Sequence, residues 1–310
     1  MLEAGRHLAE LGRFAATRRR QERRDLEVLA ELERRPLDLP PGLEIEWLGV
    51  AGYRLTFEGQ TLLIDPYVSR VPWRSLVRRE PALPDRAMLD RFLRPPGTVV
   101  GVLVGHTHFD HAVDAPAAAR RFDCKAFGSR SLAHLMALHG LGERAVEVDP
   151  GSTRALGPFR VTFVPSRHAK ILLGLRVPFD GELSCASLDA LTPSAYRLGQ
   201  VWAFLIEVAG VTLYHQGSAD LIDDAVPEGG VDVFLAGVAG REFTRDYWKR
   251  ILPRLEPRVI VPCHHDDFFR PLTAPMGLLA NVNLSRLPEE IEGVGHEVAL
   301  AALPRVPGGG

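Results

Sequence analysis

Cysteine is scarce in this sequence, and its few cysteines do not pair. Cys124, Cys185 and Cys263 are far apart in the chain and form no C-x-x-C motif. A disulfide framework or a cysteine-based zinc finger is therefore not expected. The cysteine content is typical of a reducing compartment, and the sequence predicts a cytoplasmic protein.

Long apolar runs and a large excess of charge of one sign are also absent. No run of 18 apolar residues occurs, and the N-terminus lacks the apolar segment of a signal peptide, so no transmembrane helix or secretion signal is expected. The net charge of −2 argues against nucleic acid as a partner. At 310 residues, with 46% hydrophobic and 25% charged residues, the chain is long enough to bury a sizeable globular core.

The most informative stretch is residues 99–111, VVGVLVGHTHFDH. Its small and β-branched start predicts a buried strand, which ends at Gly105. Four residues of metal-ligand type follow within six positions, namely His106, His108, Asp110 and His111. Imidazole and carboxylate are ligands of divalent metals such as Zn²⁺. A polar turn that contains histidines by chance is the simpler alternative, but this density directly after a core strand disfavours it.

The pattern His106-Thr-His108-Phe-Asp110-His111 resembles the H-x-H-x-D-H signature of the metallo-β-lactamase superfamily. The similarity extends over nearly all of residues 43–270 and implies an αββα sandwich, with two mixed sheets flanked by helices. The alternation of strands and helices alone indicates only an α/β fold. WLGVAGYRL, IDPY and P-x-H-x-x-x-F look most like the branch that contains N-acyl-phosphatidylethanolamine phospholipase D and ascorbate-6-phosphate lactonase relatives.

Residues 1–41 are predicted to form a helical arm and linker, and residues 42–310 the catalytic domain. The arm carries leucines and a phenylalanine at helical spacing: Leu8, Leu11, Phe14, Leu26, Leu29 and Leu32. We expect these residues to pack on the main domain. For the basic run at 18–24 a membrane-surface or oligomer-contact helix is the alternative, so peripheral membrane contact and a homo-oligomer remain open.

The resemblance implies a third histidine for the first metal. His168 follows a predicted strand at 158–165. A histidine after a strand means little by itself, but this one is placed to complete a three-imidazole set with His106 and His108.

The second metal is expected to be held by Asp110, His111 and His264, since Pro262-Cys263-His264 matches the P-x-H of the superfamily. The superfamily usually has G-D, with a metal-bridging aspartate, where this chain has Gly217-Ser218. Asp220, two residues later, is the predicted replacement. The alternatives are a site without a bridge, which holds one firmly bound metal, and an inactive relative.

Other residues are predicted around the ligands. Asp65 closes an apolar run, and the resemblance suggests that it orients a ligating histidine, with a turn cap as the alternative. His215 and Ser218 are expected to lie behind or beside the ligands. Asp110 is expected to orient the nucleophile as well. No residue stands out as the general acid, for which Tyr196, His215 and His265 are the candidates.

Residues 171–202 are apolar but irregular and predict a lid or substrate wall. The predicted substrate contacts are Leu172, Phe179, Tyr196 and Trp202, with plain packing as the alternative. Four arginines, Arg70, Arg74, Arg78 and Arg79, are expected either to be solvated or to meet an anionic substrate group.

The expected function is metal-dependent hydrolysis with two Zn²⁺ per chain, with Mn²⁺ or Fe as alternative metals. Water activated between two metals would attack a phosphodiester or a lactone-type ester that has an apolar part. The partner would therefore be a small-molecule or lipid-like substrate. The alternatives are an iron-dependent redox enzyme on the same ligand set, and a non-catalytic ligand-binding relative that lacks the bridging carboxylate.

Overall fold

Two mixed β-sheets pack face to face and carry helices on their outer faces in the computed structural model, which describes residues 18–171, 174–280, 282–295 and 297–306. This arrangement confirms the predicted α/β class and the order of layers, helix–sheet–sheet–helix. No helix among the described residues is long and apolar enough to cross a bilayer.

The first sheet has six strands in the order of the sequence. The first three pair antiparallel, and the last four pair parallel with one another. The strands are β1 (Glu44–Gly49), β2 (Gly52–Phe57), β3 (Gln60–Ile64), β4 (Thr98–Leu103), β5 (Ala126–Gly128) and β6 (Ala145–Glu147).

The second sheet has the order β11-β8-β9-β10-β12-β13-β14, with β7 paired to β8. Its strands are β7 (Thr153–Leu156), β8 (Phe159–Arg167), β9 (Trp202–Val208), β10 (Val211–Gln216), β11 (Asp220–Leu221), β12 (Val231–Gly237), β13 (Pro257–Cys263) and β14 (Ala299–Leu300). The pairs from β10 through β12 and β13 to β14 are parallel, and β8, β9 and β10 are antiparallel.

Capping residues and a proline mark the starts of three of the helices. Asp85 and Ser129 cap α3 and α6 by accepting backbone N–H groups, and Pro116 lies in the first turn of α5. The helices are α1 (described over 18–32), α2 (Trp73–Arg78), α3 (Arg86–Phe92), α4 (Phe109–Ala112), α5 (Ala115–Arg121), α6 (Arg130–Leu138), α7 (Tyr247–Leu255) and α8 (Leu287–Glu292).

Three apolar cores separate the four layers. The first lies between the first sheet and α3, α5 and α6, and includes Leu63, Leu89, Phe92, Val102 and Leu135. The second fills the space between the sheets and includes Trp47, Phe127, Phe163, Phe204 and Leu235. The third lies between the second sheet and α1, α7 and α8, and includes Leu29, Leu32, Phe234, Ile251 and Ile291. Burial of these side chains holds the layers together.

The described part of the N-terminal arm packs on the body, as predicted for its leucines. Leu29 and Leu32 are buried in the third core, whereas Leu26 is exposed. The backbone oxygen of Leu32 accepts a hydrogen bond from Ala302 N at 3.1 Å. Leu8, Leu11 and Phe14 lie outside the described residues, and the domain boundary at residue 41 stays a prediction.

The loops after β3, β4, β8, β10 and β13 meet at one edge of the sandwich. A backbone hydrogen bond of 2.7 Å from Trp202 N to Gly105 O joins the two sheets there. Polar side chains carried by loops at strand ends are where α/β folds build sites. This edge holds the candidate metal centre.

Candidate metal centre

Six side chains of metal-ligand type form two groups at this edge. The ligand atoms of each group lie within 4.8 Å of one another. The first group is His106, His108 and His168, and the second is Asp110, His111 and His264. The rings of His106 and His111 have centroids 3.9 Å apart, so the groups are neighbours.

In the first group, hydrogen bonds to protein oxygens fix the ring orientations of two of the three histidines. His108 donates from Nε2 to Pro178 O at 2.9 Å, and His168 donates from Nδ1 to Ala169 O at 2.7 Å. Each ring therefore keeps a lone pair on its other nitrogen. A bond of this kind from the second ring nitrogen is a usual feature of metal-ligating histidine.

The histidines of the first group are neutral at neutral pH. Burial and the neighbouring imidazoles hold the pKa values of His106 and His168 well below the usual range. Burial lowers the pKa of His108 to about 4. Neutral imidazole is the form that binds a metal ion.

The second group combines a carboxylate with two imidazoles. Asp110 Oδ2 lies 3.3 Å from His264 Nε2 and 3.8 Å from His111 Nε2. Burial alone would raise the pKa of Asp110, but the adjacent His111 and His264 lower it below its usual value, so the carboxylate is ionised.

Asp65 lies directly behind His111 and is fully buried. Its Oδ2 accepts from His111 Nδ1 at 2.7 Å, and its Oδ1 accepts from Gly105 N at 2.7 Å. Burial acts to lower the pKa of His111, but Asp65 and Asp110 outweigh it and raise that pKa above the usual value. The bond to Asp65 occupies His111 Nδ1 and leaves Nε2 as the ring nitrogen that could bind a metal ion.

Both groups fit divalent metal ions. Zinc lies about 2.0–2.1 Å from nitrogen, so two ligand atoms of a tetrahedral site are roughly 3.3 Å apart. The separation of His106 Nε2 and His108 Nδ1 is 3.1 Å, and that of Asp110 and His264 is 3.3 Å. His111 Nε2 is buried without a hydrogen-bond partner among the described residues, as expected for an atom that binds a metal.

Asp220 belongs to neither group. Its carboxylate accepts from Leu221 N at 2.8 Å and lies 3.5 Å from Arg250 Nη1. The same guanidinium holds Asp223 through two bonds of 2.8 and 2.7 Å. The structure therefore disagrees with Asp220 as the bridging ligand, because the pairing of Asp220 with Arg167 in the β8–β11 ladder turns its carboxylate toward Arg250.

Ser218 lies beside the ligands and lines the same cavity as four of them. Its Oγ accepts from Ala169 N at 3.0 Å, next to His168. Gly217 before it is closely packed: a Cβ would lie 3.2 Å from Asp65 Oδ2 and from His111 Cε1, so these groups would have to shift to accept a side chain. A neutral hydroxyl thus stands where the superfamily pattern has a carboxylate.

Two histidines of the sequence prediction are packed in the core. His265 is fully buried against Trp47, with ring centroids 4.6 Å apart, and does not line the cavity, so the structure disagrees with its role as general acid. Burial lowers the pKa of His265 to about 4. His215 is stacked on Phe204, and its Nε2 is 2.9 Å from Ala51 O.

A cavity of about 1030 Å³ opens next to both ligand groups. His108, His168, Asp110 and His264 reach its wall, and the rest of the wall is largely apolar and includes five phenylalanines. Phe179 meets His108 edge-on at 6.2 Å between ring centroids, and Phe268 meets His264 at 5.9 Å. This volume is at the upper end of ligand pockets, which span about 300–1,000 Å³.

Of the predicted substrate contacts, Phe179 lines the cavity and two others do not. Tyr196 is fully buried and donates from its hydroxyl to Ala82 O at 2.7 Å. Trp202 is buried between the sheets on β9. For both residues the packing alternative agrees with the structure, and Leu172 lies outside the described residues.

The arginines at the cavity are not those that the sequence singled out. Arg70 is buried and paired with Asp266, and none of Arg74, Arg78 and Arg79 lines the cavity. Arg176, Arg197 and Arg241 line it instead; the first two are exposed, whereas Arg241 is buried and paired with Glu290. For Arg176 and Arg197, the position in the irregular segment 171–202 was the only feature of the sequence that indicated a place at the cavity wall.

Comparison with known proteins identifies the family. The family model described as a β-lactamase superfamily domain matches residues 44–264. The chain is 30% identical, over 237 residues, to a UPF0173 metal-dependent hydrolase of Anaeromyxobacter sp. (strain K), covering 73% of this chain and 75% of the relative. A UPF0173 metal-dependent hydrolase of Cereibacter sphaeroides is 26% identical and is covered over 87% of its length.

Solved structures share the fold at low identity. CmlA, a diiron β-hydroxylase from Streptomyces venezuelae, has a TM-score of 0.55 and 15% identity over 86% of this chain and 54% of CmlA. The metallo-β-lactamase fold protein YhfI from Bacillus subtilis has a TM-score of 0.50 and 14% identity over 85% of this chain and 97% of YhfI. Since the family model spans most of the chain, the protein belongs to the metallo-β-lactamase superfamily.

Proposed function

We propose that the protein is a hydrolase with two zinc ions, one in each ligand group. The observation that carries this proposal is the contact between the two groups, with the His106 and His111 rings 3.9 Å apart. Two divalent ions, when bound, would polarise the attacked oxygen and lower the pKa of a bound water to about 7. The UPF0173 relatives, which are named metal-dependent hydrolases, support the same reaction class.

The protein's own residues have distinct tasks in this proposal. His106, His108 and His168 hold one ion, and Asp110, His111 and His264 hold the other. Asp65 keeps the proton of His111 on Nδ1, so that Nε2 is free to ligate. The apolar side chains of the cavity wall lower the local polarity, which strengthens the electrostatic interactions at the centre.

We infer that the two ions are bound unequally. The first group supplies three neutral imidazoles, and the second has no bridging carboxylate, because Ser218 contributes only a hydroxyl and Asp220 is turned away. Ser218→Asp is expected to bind the second ion more tightly than the wild type. Ser218→Ala is the matched control and should leave that affinity unchanged.

The cavity favours an anionic substrate with an apolar part, and a phosphodiester is the class that we propose. Arg176 and Arg197 are exposed at its wall, and neither has a carboxylate partner among the described residues. Asp180 lines the same cavity, but Arg197 contacts its backbone oxygen, at 3.4 Å from Nη1. Guanidinium groups suit phosphate oxygens. A neutral lactone or ester would form no ion pair with these guanidinium groups.

The proposal is tested by hydrolysis of matched substrates that share one apolar group, a bis-aryl phosphodiester and a neutral aryl ester. We expect zinc-dependent cleavage of the phosphodiester, with a KM raised by Arg176→Gln or Arg197→Gln for that substrate alone. Preference for the ester would favour the lactonase alternative, and the N-acyl-phosphatidylethanolamine phospholipase D and lactonase branch stays a prediction. Bound iron together with oxygen consumption would favour the redox enzyme. Two bound metal ions without hydrolysis of either substrate would favour a ligand-binding relative.

A further inference from the structure

We propose that the buried ion pair between Arg70 and Asp266 is a positioning device for His264, and through it for the second metal ion. This inference rests on the proposed function, since His264 matters to the chemistry only if that ion binds. The pair lies behind the centre and does not line the cavity.

The two charged residues come from opposite sheets. Arg70 follows β3 of the first sheet, and Asp266 follows β13 of the second. Arg70 Nη2 lies 2.8 Å from Asp266 Oδ2, and their side chains are 1% and 0% exposed. Buried ion pairs often give no net stability over apolar packing, so stability alone does not account for this one.

A short chain of hydrogen bonds connects the pair to the ligand. The other oxygen of Asp266 accepts from Val50 N at 2.7 Å, and Val50 O accepts from His264 N at 2.7 Å. Val50 is therefore held by both residues, and Asp266 fixes the backbone to which His264 is bound.

His264 needs such support because its backbone is strained. Its φ of +57° lies in the left-handed region, which residues other than glycine rarely adopt. A conformation of this kind persists only where the surrounding structure enforces it. The bond to Val50 supplies that enforcement on the N-terminal side of the ligand.

Gly49 makes the space for the pair. Its φ is +93°, and a Cβ at this position would lie 1.8 Å from Arg70 Nη2 and 2.9 Å from Asp266 Oδ2. A side chain here would displace the guanidinium. Gly49→Ala therefore disturbs the ion pair without changing either charged residue.

The experiment is a zinc titration of the full-length protein that compares the wild type with Asp266→Asn and Gly49→Ala. Both variants are expected to bind the second ion 10- to 100-fold more weakly, the usual effect of losing an outer partner of a ligand, with the first ion unaffected. Arg70→Lys keeps the charge and should keep the second ion. Glu46→Gln, which removes the Glu46–Arg54 pair elsewhere in the first sheet, is the control.

A cobalt-substituted sample gives a second readout, since the visible spectrum of the second site should change in Asp266→Asn and Gly49→Ala but not in Arg70→Lys or Glu46→Gln. If Asp266→Asn and Gly49→Ala bind both ions with wild-type affinity and only unfold at lower temperature, the pair is structural and the inference is overturned. If Asp266→Asn does not fold, Gly49→Ala and Arg70→Lys carry the test. A wild type that binds only one ion would overturn the proposed dinuclear centre, and the inference with it. A wild type that binds two ions, with variants that also bind two normally, would overturn the inference alone.

Discussion

Replacing Asp65 by asparagine tests how the second ion is held. Both carboxylate oxygens of Asp65 accept, one from His111 Nδ1 and one from Gly105 N, each at 2.7 Å. Asparagine has only one oxygen. If that oxygen stays with Gly105 N, the amide NH₂ faces His111 and forces its proton onto Nε2, the ligand atom. If the amide flips, a buried N–H of Gly105 loses its acceptor.

The expected effects follow from these bonds. Loss of an outer partner of a metal ligand typically weakens metal binding about 10- to 100-fold, so the second ion should bind more weakly by that factor. A hydrogen bond to a charged group contributes roughly 1.5–3 kcal/mol, so the metal-free protein should lose about that much free energy of unfolding.

Zinc titration and thermal unfolding of Asp65→Asn measure both effects. Asp232→Asn is the control, because Asp232 also accepts a backbone N–H, from Thr212 at 2.8 Å, but its other oxygen accepts from Arg258 and not from a histidine of the centre. The control should bind both ions normally. If Asp65→Asn also binds both ions with wild-type affinity, the tautomer argument is wrong.

Three further predictions concern the cavity wall, the bridge and pH. Phe179→Ala should raise KM for a substrate with an apolar part, whereas Tyr196→Phe should leave KM unchanged and cost about 1 kcal/mol of stability, measured by denaturant unfolding. Asp220→Ala should leave the zinc content unchanged and remove only the contacts of its carboxylate with Leu221 N and Arg250; loss of one zinc per chain would support Asp220 as the bridging ligand. Acidification should release the second ion before the first in a metal titration at several pH values. The raised pKa of His111 makes protons compete with the ion at higher pH, and simultaneous release would contradict this.

The regular elements of the fold could be read from local sequence. The apolar run at 231–238 predicts a strand and contains β12 (Val231–Gly237). Pro116 followed by three alanines predicts a helix over 115–121, which is α5 (Ala115–Arg121). The strands β5, β6 and β7, of three or four residues, were missed because their pairing with neighbours, rather than their own pattern, defines them.

The candidate site could be predicted where its residues are close in sequence. Residues 106–111 supply four of the six ligand-type side chains, and the superfamily resemblance pointed to His168 and His264. The orientation of Asp220 could not be read, because it depends on strand pairing with Arg167 and on Arg250, 30 residues later.

The irregular segment 171–202 shows the limit of composition as a guide. Its aromatic residues predict burial, but the sequence does not distinguish a cavity wall from a protein core. Phe179 lies at the cavity, whereas Tyr196 and Trp202 are packed inside the protein. Likewise, no local pattern separated the buried Arg70 from exposed arginines, because its partner Asp266 is 196 residues away.

The metal content of the purified protein, measured by elemental analysis together with His168→Ala and His264→Ala, tests the central claim most directly. We expect two zinc ions per wild-type chain at saturation. His264→Ala should retain the first ion, and His168→Ala should weaken it. No bound metal in the wild type after incubation with zinc, or no loss in either variant, would contradict the dinuclear centre.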